Sequence, residues 1–232
     1  MNDFFDTQTD AQRMISRLAN VYPLWQTGDV KSVRWDSLVE KFSTLYETDL
    51  SPSARQWRKK RGQCCTYLIG ARLPGDMVRW VLLVTETGHG EVKLRERLRD
   101  IRSERLVWGD YVLITSTKPR AIGGGTHWTW CFTPAAERRE ANYLTKLAQA
   151  AACRGQSFQL KAYTDTLLQR PLHSGIRQQT AKMLRRAQKV WARHANGLSW
   201  PGPDPAVLPY FGAYRTRSPQ LERSASRSNG PA

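Results

Sequence analysis

The chain has 232 residues, of which 40% are apolar and nine are tryptophans, so it can bury a hydrophobic core without the support of disulfides or metals. Thirty-six basic residues outnumber 20 acidic ones and give a formal net charge of +16. This composition argues against a wholly disordered chain, and the charge favours a polyanionic partner, above all nucleic acid.

The first 62 residues are predicted to form a helical N-terminal portion. Apolar side chains at helical spacing predict a first helix over residues 10–22, which a proline closes. A second helix begins near Asp36 or Ser37, either of which can cap it. The first 50 residues carry five basic and eight acidic side chains, so this acidic end is not the expected binding surface.

A third, short helix is predicted to start at Ser51-Pro52, since proline is favoured in the first helical turn. Its sequence ARQWRKKRG contains no acidic residue. Such a cluster is typical of phosphate contacts, and a tryptophan among arginines can stack on a base or a sugar. The alternative is a solvated basic turn whose tryptophan anchors it to the core. The candidate nucleic-acid-binding residues of this segment are Arg55, Trp57, Arg58, Lys59, Lys60 and Arg61.

Residues 63–200 are predicted to form an α+β core. The segments TYLIGARL and MVRWVLLVTET are rich in β-branched and aromatic residues, and the Pro-Gly-Asp turn between them indicates a β-hairpin. A charged helix follows over residues 91–103, with Leu94, Leu98 and Ile101 facing inward. LVWGDYVLITST and HWTWCFT give a second hairpin. This order predicts an antiparallel sheet of about four strands, flanked by N-terminal and C-terminal helices.

Three helices complete the predicted core. One runs over residues 134–153 and ends at Gly155, and a short one covers residues 157–169. The last covers residues 174–195, where Ser174 can cap it. One face of this last helix forms an apolar stripe of Ile176, Thr180, Met183, Leu184, Ala187, Val190, Trp191 and His194.

The opposite face of the last helix is cationic, and residues 174–196 contain no acidic residue. Like charges three or four residues apart repel one another by a few tenths of a kcal/mol per pair, which a purely structural helix relieves with glutamate. We therefore expect an anionic partner here, bound mainly through its phosphate backbone. The alternative is neutralisation by acidic residues from elsewhere in the fold. The candidate residues are Arg177, Lys182, Arg185, Arg186, Lys189 and Arg193.

Residues 201–232 are predicted to form a disordered tail. They begin with closely spaced prolines and continue from residue 215 in a segment rich in serine and arginine, a composition that cannot bury a core of its own. The arginines can add a nonspecific electrostatic arm. They are Arg215, Arg217, Arg223 and Arg227.

Two further patterns do not predict a cofactor or a metal site. The loop Gly123–Gly125, preceded by Lys118 and Arg120, lacks the GK[ST] ending of a P-loop and indicates a long hairpin loop instead. His127 and Cys131 lie on the same predicted strand face, but two ligands without a second pair do not make a zinc site. No cofactor or metal is therefore expected.

An enzymatic alternative rests on Asp76 followed by Glu91 and Lys93, which is similar to the acid and E-x-K pattern of metal-dependent nucleases. Such enzymes need clustered carboxylates for Mg²⁺ and a lysine that polarises the attacking water. Here the glutamate opens a predicted helix, where an acidic residue in the first turn is ordinary. A nuclease is therefore the third hypothesis, and no catalytic residue is assigned.

The cysteines and the N-terminus predict a cytoplasmic location. The cysteines include no C-x-x-C pair, and adjacent cysteines rarely bond each other, so free thiols in a reducing compartment are expected. No run of about 18 apolar residues occurs, and the N-terminus is acidic rather than basic, so neither a membrane span nor a signal peptide is predicted. The cysteines are Cys64, Cys65, Cys131 and Cys153.

The stretch WTWCFTP, the helix after it and the segment RPLHSGIRQQTAKMLRRAQKVWAR resemble a family encoded on integrating conjugative elements of proteobacteria, some members of which are labelled integrase regulators. The resemblance runs from about residue 64 to residue 200. It implies that the protein acts together with other proteins of such an element, in replication, maintenance, transfer or integration. The resemblance supplies no catalytic residues.

The sequence therefore predicts a DNA-binding accessory or regulatory protein that is not an enzyme. It does not distinguish single-stranded from double-stranded DNA as the partner. The second hypothesis is a regulator whose basic face binds an acidic partner protein.

Overall fold

The computed structural model of the chain describes residues 2–117, 123–155 and 157–209. These residues form an α+β fold with a mixed sheet of five strands, a second sheet of three strands and seven α-helices. The α+β class predicted from the sequence is therefore confirmed. Within the same residues, no helix is long and apolar enough to cross a membrane.

Unit 1, the first of two compact units, is built around the five-stranded sheet and contains the residues before Trp108 together with Leu113–Trp128. A short 3-10 turn over Ser32–Arg34 leads into its second helix. Its helices and strands are, in chain order, β1 (Asn2–Phe5), α1 (Gln8–Leu18), β2 (Leu24–Lys31), α2 (Trp35–Tyr46), α3 (Pro52–Lys60), β3 (Thr66–Leu73), β4 (Met77–Val84), α4 (Glu91–Arg95) and β5 (Arg99–Asp100).

The sheet of unit 1 has the strand order β1-β3-β4-β2-β5, and β1 runs parallel to β3. The predictions of a helical N-terminal portion and of a purely antiparallel sheet are therefore wrong, because β1 and β2 belong to the same sheet as β3 and β4. The sequence of β2 does not predict a strand, because it contains a glycine and an aspartate, which are unfavourable in strands. Gly28 lies opposite Trp80, whose ring comes within 2.8 Å of the position that a Cβ would take. Cross-strand packing thus requires the glycine.

The hairpin of β3 and β4 is confirmed, with Leu73 paired to Met77 across the predicted turn. The predicted helix α2 is confirmed as well, but Arg34 occupies its N-cap without a side-chain hydrogen bond, so neither Asp36 nor Ser37 caps it. This helix packs on the hairpin. The buried cluster that they share consists of Phe42, Tyr46, Cys64, Leu68, Leu82, Val84 and Val92.

The helix predicted over residues 91–103 is wrong in length, because α4 ends at Arg95. Leu94 is 83% exposed rather than inward, whereas Ile101 is buried beyond β5. The carboxylate of Asp100 accepts the backbone N–H of Arg102 at 2.8 Å and its guanidinium at 2.5 Å. This local turn competes with helical hydrogen bonding, which explains why the periodic pattern does not continue as a helix.

The three-stranded sheet has the order β6 (Val107–Trp108), β7 (Tyr111–Thr117) and β8 (Thr126–Phe132). The sequence predicted one strand for LVWGDYVLITST, but the chain turns between β6 and β7. Gly109 has a φ of 60° there, in the left-handed region that glycine adopts without strain. The predicted pairing of β7 with β8 is confirmed.

Unit 2 contains Trp108–Val112 and the residues from Thr129 onward. Its helices are α5 (Pro134–Arg154), α6 (Ser157–Leu168) and α7 (Ser174–His194). These three helices confirm the predictions made for this part of the chain. The predicted boundary near residue 62 does not coincide with the division into units, because strands before and after it share one sheet.

The start of α7 is held against β8. Ser174 does not cap the helix as predicted, because His173 occupies the N-cap and the Ser174 hydroxyl lies 2.8 Å from the Thr129 hydroxyl instead. A Cβ added at Gly175 would lie 2.3 Å from the Sγ of Cys131. The small residue therefore allows α7 to approach the strand closely.

The chain after α7 folds back onto the helix. The indole of Trp191 donates to the Leu198 carbonyl at 3.0 Å and contacts the Trp200 ring edge-on, and Leu208 is buried. Residues 201–209, which the sequence assigned to the disordered tail, are therefore part of the described fold, because apolar side chains lie between their prolines. The four tail arginines lie outside the described residues.

Candidate nucleic-acid interface

Helix α7 separates an apolar face from a cationic one, as predicted. Val190 and His194, at the edge of the apolar stripe, are half-buried. The other six residues of the stripe are buried in unit 2, and they are Ile176, Thr180, Met183, Leu184, Ala187 and Trp191. The burial of this stripe fixes the orientation of the helix, so the opposite face is directed to solvent.

The cationic face of α7 consists of five exposed side chains. Arg177, the sixth predicted residue, is half-buried and already has an interaction partner within the protein. None of the five forms an ion pair with a carboxylate of the described part of the chain. We call these five residues the α7 cations: Lys182, Arg185, Arg186, Lys189 and Arg193.

Two carboxylates of unit 2 pair with arginines that do not belong to the α7 cations. The described residues of this unit carry twelve basic and five acidic side chains, hence a net charge of +7. Asp110 pairs with Arg139 at 2.7 Å, and the buried carboxylate of Glu140 accepts from Tyr163 at 2.5 Å and pairs with Arg170 at 3.0 Å. Neutralisation of α7 by acidic residues of its own unit, the alternative left open by the sequence, is therefore not observed in the described residues.

A groove of about 510 Å³ runs between α5 and α7. The two helices point in the same direction, since Gln179 near the start of α7 donates to Glu137 near the start of α5 at 2.8 Å. Thr145, about two turns further along α5, lies in the groove together with Val190. All five α7 cations line it. The groove is thus a concave cationic surface rather than an isolated row of charges.

A second, smaller groove of about 220 Å³ lies on the other side of Arg185. It is bounded by Gln178 on α7 and by the segment 205–208 that folds back onto the helix. Sequence reasoning missed both Thr145 and this segment. The register of α5 could have indicated Thr145, but the folded-back segment depends on contacts that no local pattern contains.

The basic residues of α3 divide into two groups, and the first faces the protein. Arg58 pairs with Glu47, and its Nε donates to the Cys64 carbonyl at 3.1 Å. Arg55 donates to the Thr48 carbonyl at 3.2 Å and lies 4.7 Å from the centre of the Tyr67 ring. These two arginines hold α3 to unit 1 and have partners within the protein, so their contact with phosphate stays a prediction.

The second group on α3 is exposed. Trp57 is 53% exposed, so it does not anchor the helix in the core as one interpretation of the sequence expected. The guanidinium of Arg61 lies 3.4 Å from the centre of the Trp57 ring. Lys60 is exposed beside them, whereas Lys59, also exposed, lies about 160° around the helix from Trp57. This group keeps the combination of cations and an aromatic ring that the sequence singled out.

The residues of the nuclease hypothesis are not brought together. Asp76 lies in the turn of the β3–β4 hairpin, whereas Glu91 follows the segment that pairs with Gln63 at the other end of the hairpin. Strands of eight residues put about 20 Å between these ends. Lys93 donates to two backbone carbonyls, and Glu91 pairs with Arg95 at 2.8 Å. The predicted constellation therefore does not form.

Two further candidates of the sequence are the His127–Cys131 pair and the loop Gly123–Gly125. Among residues 2–117, 123–155 and 157–209, no group of three or more histidine, cysteine or acidic side chains is placed to hold a metal ion. The glycines of Gly123–Gly125 all have positive φ, a conformation that glycine adopts without strain, and Lys118 and Arg120 lie outside the described residues.

Comparison with known proteins identifies no relative of the chain. No family model, no curated protein and no solved structure matches the chain. The resemblance to a family of integrating conjugative elements therefore stays a prediction, and the candidate interface rests on the geometry and charge of α7 and α3.

Proposed function

We propose that this protein binds nucleic acid, in the first place DNA, through contacts between the α7 cations and the phosphate backbone. The observation that carries the proposal is that the α7 cations are exposed, line one groove and have no carboxylate partner in the described residues. Each phosphate that such a cation neutralises releases condensed counterions, and this release is a large part of the affinity of proteins for nucleic acid.

The dimensions of the interface suit a phosphodiester chain. Residues 182–193 extend over about 16 Å of helix, a length along which several phosphates of one strand fit. Thr145 lines the groove beside the cations, and its hydroxyl donates to the Ala141 carbonyl at 2.6 Å, so the contacts expected with phosphates are those of the cations. Lysine and arginine that contact phosphates fix the register of the nucleic acid but do not identify bases, so the binding at α7 is expected to be insensitive to sequence.

The biological setting that we propose is an accessory or regulatory one, without catalysis. The family resemblance suggests a role in the replication, maintenance, transfer or integration of a mobile element, beside other proteins of that element, and the cysteines and the N-terminus suggest that this role is cytoplasmic. A basic groove can also bind an acidic partner protein, and this remains the competing proposal because the electrostatic attraction is the same.

The proposal is tested by fluorescence anisotropy with labelled DNA of about 20 nucleotides, single-stranded and duplex. We expect the triple variant Arg185→Glu, Arg186→Glu and Lys189→Glu to bind both at least about 100-fold more weakly than the wild type. Each single alanine substitution in the α7 cations should also reduce the slope of log affinity against log salt by about 1.

A matched control separates a defined surface from the general field of the protein. The triple variant Lys146→Glu, Arg154→Glu and Lys161→Glu removes the same charge from exposed positions on α5 and α6. We expect it to lose less than about tenfold in affinity. Equal losses in both variants, or binding of polyglutamate as tight as that of DNA, would contradict the proposed interface.

A further inference from the structure

The outer face of α3 exposes an indole that no core contact explains. Tryptophan carries the largest apolar surface of any side chain, so leaving half of it in water forgoes stabilisation that burial would give. Trp57 is 53% exposed although Arg61 already covers part of the ring. A ring that stays this accessible beside a guanidinium has a free surface on which another planar group can stack.

The helix that carries this ring is firmly held. Ser51 caps α3 by accepting the backbone N–H of Ala54 at 3.2 Å, and Arg55 and Arg58 connect the inner face to the protein. At 100° per residue, Trp57 points away from these two arginines. The indole is therefore presented on a fixed support, which lowers the entropy lost when a ligand stacks on it.

The charge around the ring indicates the kind of ligand. Lys60 and Arg61 are exposed and form no ion pair within the described residues, and Glu47, a nearby carboxylate, pairs with Arg58. A ligand for this face must combine negative charge with flat aromatic groups. Nucleic acid has both, whereas an acidic peptide supplies the charge without a stacking surface at regular intervals.

We infer that Trp57 and Arg61 form a base-stacking site for single-stranded nucleic acid, with Lys60 contacting an adjoining phosphate. The strand must be single because the faces of bases in a duplex are covered by their neighbours and only unstacked bases can lie on an indole. This inference rests on the proposed function, in that it specifies the nucleic acid, but it concerns a different helix and a different kind of contact.

The test compares an oligothymidylate of about 20 nucleotides with a strand of the same length in which every base is missing. We expect Trp57→Ala to weaken binding of the oligothymidylate about tenfold and to leave binding of the abasic strand and of duplex DNA within about twofold. Trp57→Phe, which keeps an aromatic face, should recover most of the loss. An oligouridylate should show the same dependence, because stacking uses the base and not the sugar.

Leu94→Ala is the matched control, since it removes an even more exposed apolar side chain from the same unit. It should change none of these affinities by more than about twofold. Unaltered oligothymidylate binding by Trp57→Ala, or an equal loss on the abasic strand, would overturn the stacking site. The α7 triple variant weakens binding to both strands if the proposed function holds, so failure of the α7 interface and failure of the stacking site give different results.

Discussion

The basic segments α3 and α7 have similar sequences in one respect, a high density of lysine and arginine without acidic residues, yet the structure uses their charges differently. In α3, Arg55 and Arg58 are taken up by backbone carbonyls, a tyrosine ring and Glu47. In α7, the five cations are all exposed and line a groove. The two segments also belong to different compact units.

This difference shows that a count of charges does not measure how many are available to a ligand. Whether a cation is free depends on where the carboxylates and carbonyl groups of the same unit lie. In unit 2, Asp110 and Glu140 pair with arginines outside α7, so these two carboxylates do not neutralise the α7 cations. The available charge is therefore a property of the tertiary structure.

The comparison predicts that removal of an inward arginine of α3 affects stability and not binding. Arg58→Ala should lower the free energy of unfolding by about 2 kcal/mol, because the Cys64 carbonyl loses its charged donor and the side chain is only 13% exposed. Urea denaturation measures this change. Affinity for DNA should stay within about twofold, and Lys59→Ala, at the exposed neighbouring position, should change stability by less than about 0.5 kcal/mol.

Lys189 should behave in the opposite way. Replacement by glutamate puts an acidic residue four positions from Arg185 and from Arg193, so repulsion becomes attraction. We expect Lys189→Glu to raise the free energy of unfolding by about 0.5 kcal/mol while it weakens DNA binding. Lys189→Gln should lie between the wild type and the glutamate variant in both measurements. A loss of stability in the glutamate variant would mean that the protein itself already neutralises this face.

The smallest effect is expected at a paired charge on the sheet, which extends the comparison to β2. Asp29 lies opposite Arg79 and accepts two hydrogen bonds from its guanidinium, both at 2.7 Å, which hold the pKa of the carboxyl below its usual value. Because the folded-state pKa is lowered, the stabilisation is complete above the unfolded pKa and disappears as the pH falls through the folded one.

Asp29→Asn should therefore reduce the free energy of unfolding by about 0.4 kcal/mol at pH 7, since the pair is partly exposed. The difference from the wild type should become smaller below about pH 4, because protonation of the carboxyl in the unfolded chain begins to cancel the stabilisation there, and it should vanish once the pH is below the lowered folded-state pKa. Denaturation at the two pH values measures it. A difference that is the same at both pH values would show that the aspartate acts through packing instead of charge.

Several elements could be predicted because their signals are local. Ser51-Pro52 starts α3, Gly155 ends α5, and the apolar stripe of α7 faces the core. Other elements could not. The short strand β1 and the glycine-containing β2 have little pattern of their own and form strands because neighbouring chain segments pair with them. In the same way, α4 stops early because of hydrogen bonds made by Asp100.

For the candidate site, the sequence by itself determined which face of α7 is apolar and which is cationic, because helical periodicity alone fixes that separation. It also determined the excess of basic residues. Only the tertiary structure decided which cations remain free, that Trp57 is exposed rather than buried, and that α5 completes a groove with α7. The reason is that partners of a charge or a ring come from residues distant in sequence, whose positions depend on the packing of the whole unit.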